Sequence, residues 1–471
     1  MESNSSNLSN LINLSKLTKQ QLIDECVKLG MQKCKSKNKT ELIQIIQSKQ
    51  PSINSAPDTY SIYEADINIE TVETNTSTLR FIDLFCGIGG FHQGFKNMNG
   101  KCVFACDIDD SCRKTYEENY NVKPESDITK INIEQIPAFD VLCAGFPCQP
   151  FSKAGFQKGF NDDRGNLFFY LCDIVKHHKP KYLLLENVRN LASHDDGNTW
   201  KVIYDQIDKL GYYTYSLPLI LNVLHFNVPQ NRERVIIMCK RKDLGELPAL
   251  PVVSSSPKTG LTKNICDFIF ECDKEENKKY IIDGKMKNVE TIWNAFIKLL
   301  IQYKIAMPKF PIWTDWWDNE FEETDEFYVK YTVWIDKNRE FYNNNKPLLD
   351  EWLQSSRKNP HWFGAVRKFE WQAGDLLDSD GMNTVLWTAR GSGIRVKRCD
   401  YIPTLVAMSM IPVYGPESRK LSPKELLRLQ SFPDTFSFNE KKICKQLGNA
   451  VNVKMIERCA RFLILNEPLF E

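Results

Sequence analysis

Between Leu79 and about residue 245 the chain alternates short apolar runs with longer amphipathic stretches. The runs at 80–85, 102–106, 140–144, 181–185 and 235–240 are short, and polar or glycine-rich breaks bound them, so they predict strands. Apolar positions at helical spacing between them predict helices over 90–98, 110–120, 166–178 and 199–210. That alternation implies an α/β domain built on a mostly parallel sheet covered on both faces. The rhythm stops near 245, where Pro248, Pro251 and Ser254-Ser-Ser256 open a different region, and it resumes after 389. There Leu421-Ser-Pro-Lys-Glu425 predicts a helix start, with Ser422 as N-cap, Pro423 in the first position and Glu425 closing a capping box. A last helix is expected from about 452 to 465. The α/β domain is therefore split, 79–245 and 389–471, around an insert of 246–388.

Ahead of this domain the pattern is weaker. Thr18-Lys-Gln-Gln21 reads as a capping box before Leu22, Ile23, Cys26 and Leu29, and Gly30 reads as a stop. A lysine-rich connector leads to a second short helix carrying Leu42, Ile43, Ile45 and Ile46. Residues 1–50 hold eight lysines against four acids. This small helical module resembles the SAP motif, which implies DNA binding; a solvated charged appendage is the competing explanation. Residues 51–78 read as a linker.

Composition narrows the class. A length of 471 residues predicts two to four domains. The net charge of +1 offers no whole-molecule attraction, so a nucleic-acid partner would need locally basic surface. Fifteen cysteines, none in C-x-x-C spacing and with no secretory leader, predict a reducing compartment without a disulfide framework or zinc ribbon. No apolar run is long enough to cross a bilayer. The expectation is an intracellular protein, cytoplasmic or nuclear, with no membrane partner and no metal. Nine of the ten tryptophans fall in the insert, first of all a packing signal.

Chemistry gathers at the ends of the apolar runs. Asp140-Val-Leu-Cys-Ala144 delivers Gly145-Phe-Pro-Cys-Gln-Pro-Phe-Ser152, a stiff loop that sets Cys148 at the carboxyl end of a strand. A thiol so held suits nucleophilic work, although a lone cysteine is more often structural. Tyr182-Leu-Leu-Leu185 delivers Glu186-Asn-Val, and Pro229-Gln-Asn-Arg-Glu-Arg234 places Arg232 and Arg234 two apart, on one face of an extended segment. Phe81-Ile-Asp-Leu-Phe85 delivers Cys86-Gly-Ile-Gly-Gly90, a loop whose Gly87 and Gly89 admit close backbone approach to a ligand. Asp107 follows the next strand, where a carboxylate can bind ribose hydroxyls. On spacing alone this loop fits a dinucleotide as well as S-adenosylmethionine.

These segments, with Gln446-Leu-Gly-Asn-Ala-Val451, resemble the DNA (cytosine-5) methyltransferase family, in its order, over about 79–245 and 389–460. The resemblance implies a Rossmann-like, S-adenosylmethionine-dependent methyltransferase domain with a smaller target-recognition domain in the insert. It makes Cys148 the nucleophile that adds to C6 of cytosine and Glu186 the acid on the base. Arg234 would bond the base carbonyl, and Arg232 would lie near the thiolate and a backbone phosphate. Phe85, Gly87, Gly89, Asp107, Ile108, Asp127, Pro147, Leu167, Asn449 and Val451 fall at cofactor positions, with Ile108 replacing an aromatic often found there. Gln149 and Ser152 fall on the loop that closes over DNA as the base is extruded. The partner implied is double-stranded DNA, bound by a monomer, in the setting of restriction–modification. In the insert, Lys358, Arg367 and Lys368 are candidate readers of flanking bases.

Three rivals follow. RNA cytosine-5 methylation would use the same residues, but the Cys-Phe-Thr element of that branch is not evident. A catalytically dead DNA-binding relative would have no need of the intact Cys148, Glu186, Arg234 and Asn449. A nicotinamide-dependent oxidoreductase would leave the Cys148 and Glu186 segments unexplained.

Overall fold

Strand β1, Arg80–Leu84, is buried from Phe81 onward, because successive side chains enter two separate cores. The computed structural model describes residues 18–20, 78–147, 167–253, 261, 264–266, 274–318, 326–408 and 410–470. The chain divides into two compact units, Met1–Thr76 and Ser77–Glu471. The module expected over 1–50 and the linker at 51–78 lie outside the described residues, apart from 18–20 and Ser77's neighbour Thr78.

In the second unit β1 lies between β2 (Lys101–Cys106) and β3 (Val141–Gly145), parallel to both, and β4 (Tyr182–Val188) continues in parallel beside β3. Three strands then run antiparallel: β5 (Tyr212–Tyr213) and β6 (Leu219–Asn222) pair with β8 (Glu233–Arg241), which pairs with β4. The short β7 (Gln230–Asn231) precedes β8. The sheet order is β2-β1-β3-β4-β8-β5, with β6 also on β8. Five strands lie within three residues of the expected runs, and the sheet is parallel on one side only.

Both faces are covered. Phe81, Val141, Cys143, Leu184 and Ile236 point into one core, shared with helix α1 (Gly90–Lys96) and the C-terminal helix Val453–Leu465. Ile82, Leu142, Leu183, Leu185 and Ile237 point into the other. Helices α3 (Leu167–His178) and α4 (Asn198–Lys209) cover that side, while α2 (Asp110–Tyr120) follows β2. Replacing a side chain such as Leu184 by Ala would cost about 2–5 kcal/mol through lost burial and the cavity left.

The insert forms a second sheet of six strands. They are β9 (Ile312–Trp313), β10 (Lys368–Trp371), β11 (Leu386–Arg390), β12 (Gly393–Lys397), β14 (Val413–Tyr414) and β15 (Arg419–Lys420). Between β12 and β14 the chain leaves this sheet, and β13 (Ile402–Pro403) pairs with β7. The tryptophans are scaffold. Trp293 stacks on Phe369 with centroids 4.3 Å apart and donates to Val366 O at 3.0 Å, and Trp352 donates to Ile292 O at 3.1 Å. The boundary expected at 388 is corrected: it cuts β11, whose partners are β12 and β14, and the sheet continues through β15 to Lys420. The helix at Pro423–Leu429 then starts with the expected Ser422–Glu425 capping box. Among the described residues no helix is long and apolar enough to cross a membrane.

Candidate active site

Ladder register builds the centre of the site. Gly145 at the end of β3 pairs with Glu186 on β4, and Glu186 pairs with Ile236 on β8. Two residues before Ile236 stands Arg234, whose Nε lies 2.7 Å from Glu186 Oε1. Oε2 lies beside Gly145, 3.8 Å from where a β-carbon there would sit. Glu186 is 8% exposed, and burial raises its pKa against the opposing pull of Arg234 and then Arg232. Such a carboxyl holds its proton above the usual range and can share it with a ring nitrogen. Asn187 Nδ2 donates to Phe146 O at 2.8 Å, tying the end of β4 to the loop that leads to Cys148. Cys148, Gln149 and Ser152 lie outside the described residues. Cys148 follows Gly145 by three residues in the sequence.

Arg232 differs from the expectation. It is 1% exposed, and its guanidinium donates to the carbonyls of Leu405 (2.9 Å), Gly448 (3.0 Å) and Ala450 (2.7 Å). Buried there, it is out of reach of a DNA phosphate. It clamps the segment after β13 to the Gln446–Val451 segment, and burial, then repulsion from Arg234, pulls its pKa down to about 9. The physical reason for the correction is local. The chain passes at Arg232 from β7, which pairs with β13, to β8, which pairs with β4, so its side chain meets the junction between the two.

The glycine loop lies at the carboxyl end of β1, between the diverging neighbours β2 and β3, where an open α/β sheet leaves a crevice. Phe85 adopts a left-handed backbone, φ 55°, which costs a bulky residue about 1–3 kcal/mol and is held at functional loops when the surroundings impose it. Gly87 N donates to Asp107 Oδ2 at 2.8 Å, and Asp109 N donates to its Oδ1, also at 2.8 Å. Each oxygen keeps a lone pair for a ligand hydroxyl. Burial raises the Asp107 pKa. Gly89 has φ 86°, and a β-carbon there would lie 2.2 Å from the Tyr120 ring, whose hydroxyl donates to Gly89 O at 2.9 Å. Tyr120 stacks on His92 at 3.8 Å, and burial takes the His92 pKa down to about 3, so the pair is an uncharged floor under the loop. Sequence reasoning missed both residues; their only trace was an aromatic position one turn after Tyr116.

Of the remaining cofactor candidates, Val451 lies against Gly90 of this loop. Asp107 N donates to Glu125 O at 3.0 Å, which brings Asp127 alongside. Asp127 caps a short turn through Thr129, the main cause of its lowered pKa. Ile108 is 79% exposed, an apolar side chain left open at the mouth. Pro147 is exposed, and Leu167 is half-buried at the start of α3 beside Phe168, whose ring lies 5.6 Å from Phe146. Val451 is buried and also flanks Gly145, while Asn449 is exposed. Lys445 Nζ, 3.1 Å from Asp109, and Gln446, bonded to Ser111 O at 2.9 Å, bind the C-terminal segment to α2. Apolar Phe85 and Ile108 with carboxylates Asp107 and Asp127 suit a purine ring, its amine and a ribose. Among the described residues no cluster of His, Cys, Asp and Glu could hold a metal ion.

Comparison with known proteins covers the same stretch of the chain. The family described as C-5 cytosine-specific DNA methylase matches residues 79–464. The type II methyltransferase M.HhaI of Haemophilus parahaemolyticus is 46% identical over 394 residues, 83% of this chain and 96% of that protein. M.DsaV of Dactylococcopsis salina is 41% identical over 82% of this chain and 86% of its own length. M.AluI of Cellulosimicrobium cellulans is 30% identical over 81% of this chain and 91% of its own.

Proposed function

The chain belongs to the family of C-5 cytosine-specific DNA methylases, and from that premise we propose how its residues divide the work of transferring a methyl group from S-adenosyl-L-methionine to C5 of cytosine in DNA. C5 is a weak nucleophile while the ring stays conjugated. The Cys148 thiolate adds to C6, and the ring electrons move to C5, which attacks the methyl carbon as the methyl–sulfur bond breaks and its electron pair stays on the sulfur, now a neutral thioether. A base, solvent water included, then takes the C5 proton, and the C–H electron pair expels the thiolate and restores the ring. Splitting the reaction in this way replaces one hard step by easier ones.

Glu186 offsets charge during the addition. Its Oε2 lies beside Gly145, where it donates to N3 in the acid form or accepts from the exocyclic amine. Arg234 fixes Oε1 and presents its remaining N–H groups to the base carbonyl. Arg232 acts at one remove, holding the Leu405 and Gly448–Ala450 segments together. The donor brings an electrophilic methyl on sulfur. Phe85 and Ile108 would flank its adenine, Asp127 would accept from the adenine amine and Asp107 from the ribose. Pro147, Leu167, Asn449 and Val451 would complete its walls. C6 is inaccessible inside a base stack, so the cytosine leaves the helix, and Gln149 and Ser152 line the space vacated.

The likeness to type II methyltransferases supports a role in restriction–modification, and we read one chain as acting per site. The lysine-rich residues 1–50 are read as an auxiliary DNA-binding module. The observation that carries the catalytic reading is the Arg234–Glu186 contact in ladder register with Gly145, three residues from Cys148. The test is covalent trapping on duplex DNA containing 5-fluorocytosine, in which the C5 substituent cannot leave as a proton. Wild type should form a stable adduct and Cys148→Ser none. An adduct with the serine variant would move the nucleophile elsewhere.

A further inference from the structure

The second sheet has one face committed to a core and another face rich in cations. Trp387, Ala389, Ile394, Val396 and Phe369 share the first face and bury the insert's aromatic cluster. Register assigns the opposite face to Thr388, Arg390, Arg395 and Lys397 on β11 and β12, and to Lys368 and Glu370 on β10. Four cations there meet one acid. Leu386 and Tyr414 lie on this same face and pack with Ile88 of the glycine loop and with Leu405, which Arg232 holds. The cationic face is thus turned toward the catalytic domain.

Within it Arg390 stands apart. Arg357, Arg367, Arg395, Arg398 and Arg419 each bind a carboxylate. Lys368 lies over the Trp313 ring at 3.3 Å. Arg390 makes no hydrogen bond or ion pair among the described residues, and its Nε is buried without a partner. A buried, unpaired donor is costly in a free protein and is retained where a ligand supplies the acceptor. Burial and the nearby Arg395 both disfavour its charge, so an acceptor there would relieve the site.

Arg390 pairs across a two-residue turn with Gly393, where φ is 127° and a β-carbon would come within 2.7 Å of Lys368 Cβ, so β10 packs closely on β12 there and no side chain on Gly393 flanks Arg390. A planar guanidinium left without a protein acceptor matches the paired acceptors O6 and N7 of guanine in the major groove.

We propose that Arg390 is a specificity-determining residue that reads a guanine flanking the target cytosine, with Lys368, Arg395 and Lys397 as the surrounding phosphate-side surface. The proposal rests on the DNA-methylating function above. It also replaces Arg367 and Lys368, whose side chains are already engaged, as first candidates for base reading.

The experiment compares wild type with Arg390→Gln and Arg390→Lys. Bisulfite sequencing of random-context plasmid DNA first fixes the wild-type word, which should contain an invariant guanine near the cytosine. Single-turnover rates and competition binding are then measured on duplexes carrying that guanine or each other base. With Arg390→Gln the preference at that one position should fall by about ten- to a hundredfold, with the other positions unchanged. An unchanged ratio at every position, by rate or by competition binding, overturns the proposal, and so does an equal loss on all duplexes. Because binding ratios are read separately from rates, a slow variant still decides. If wild type itself leaves no 5-methylcytosine, the functional reading has failed instead. Thermal midpoints of the variants within a few degrees of wild type exclude a folding artefact.

Discussion

Replacing Arg232 by Met separates a structural clamp from a DNA contact. Met follows the Arg stem only as far as the position of Nε and carries no donor, so it leaves the carbonyls of Leu405, Gly448 and Ala450 without one. Hydrogen bonds from a charged group contribute about 1.5–3 kcal/mol each, a gross loss of about 5–9 kcal/mol for three. Part is returned, because the guanidinium is buried close to Arg234 and its charged form is disfavoured there. Removal of one member of a buried charged network generally costs about 3–5 kcal/mol net, and the same range is expected here. At about 2 °C per kcal/mol for a unit of this size, the thermal midpoint should fall by about 6–10 °C. Dye-reported melting measures that fall, and DNA binding against salt concentration measures the alternative. Loss of a phosphate contact would lower the slope of log affinity on log salt by about 0.9 while leaving the midpoint alone. An unchanged midpoint with a reduced salt slope would refute the clamp and restore Arg232 to the DNA surface.

Three further outcomes are expected. Arg234→Ala removes the largest influence opposing burial at Glu186, so the carboxyl should keep its proton to higher pH and its limb in the pH profile of kcat/KM should move to the alkaline side; a limb that stays put, or moves to acid, contradicts the pairing. Asp107→Ala takes away the acceptor of Gly87 N–H and the proposed ribose contact, so KM for the methyl donor should rise about tenfold or more at nearly constant kcat, equivalent to about 1.4 kcal/mol, and an unchanged KM would remove Asp107 from the cofactor site. Deleting residues 1–50 should keep methylation and its sequence context while lowering the salt slope of DNA binding by a few units at most, and superimposable salt titrations for the two proteins would end the DNA-binding reading of that segment.

How much could be read in advance depended on burial. β1, β3 and β4 are covered on both faces, so their sequences are continuous apolar runs that stand out beside the intervening helices. The Ser422–Glu425 capping box was equally legible, because both halves lie within four residues. The second sheet was not. β9 and β14 are two residues long and join strands far apart in sequence, so no local period marks them, and the boundary was set too early. Glu186 and Arg234 could be named from their segments, but their 2.7 Å contact depends on the register of β4 against β8. Arg232 was misread because alternation along an extended segment says which way a side chain points and not what lies there. The acceptors are Leu405, Gly448 and Ala450, more than 170 residues away in the chain. Tyr120 reaches Gly89 O through a similar long-range closure.

The central claim is that this chain methylates C5 of cytosine in DNA through Cys148. Its most direct test is bisulfite sequencing of plasmid DNA from cells expressing the full chain, beside cells expressing Cys148→Ser, with bisulfite sequencing of tRNA from the same cells. Protected cytosines in one fixed sequence context with wild type, none with the serine variant, and no added protection in tRNA are the predicted result. DNA without protected cytosines from cells that contain folded wild-type protein, or protection confined to tRNA, would contradict it.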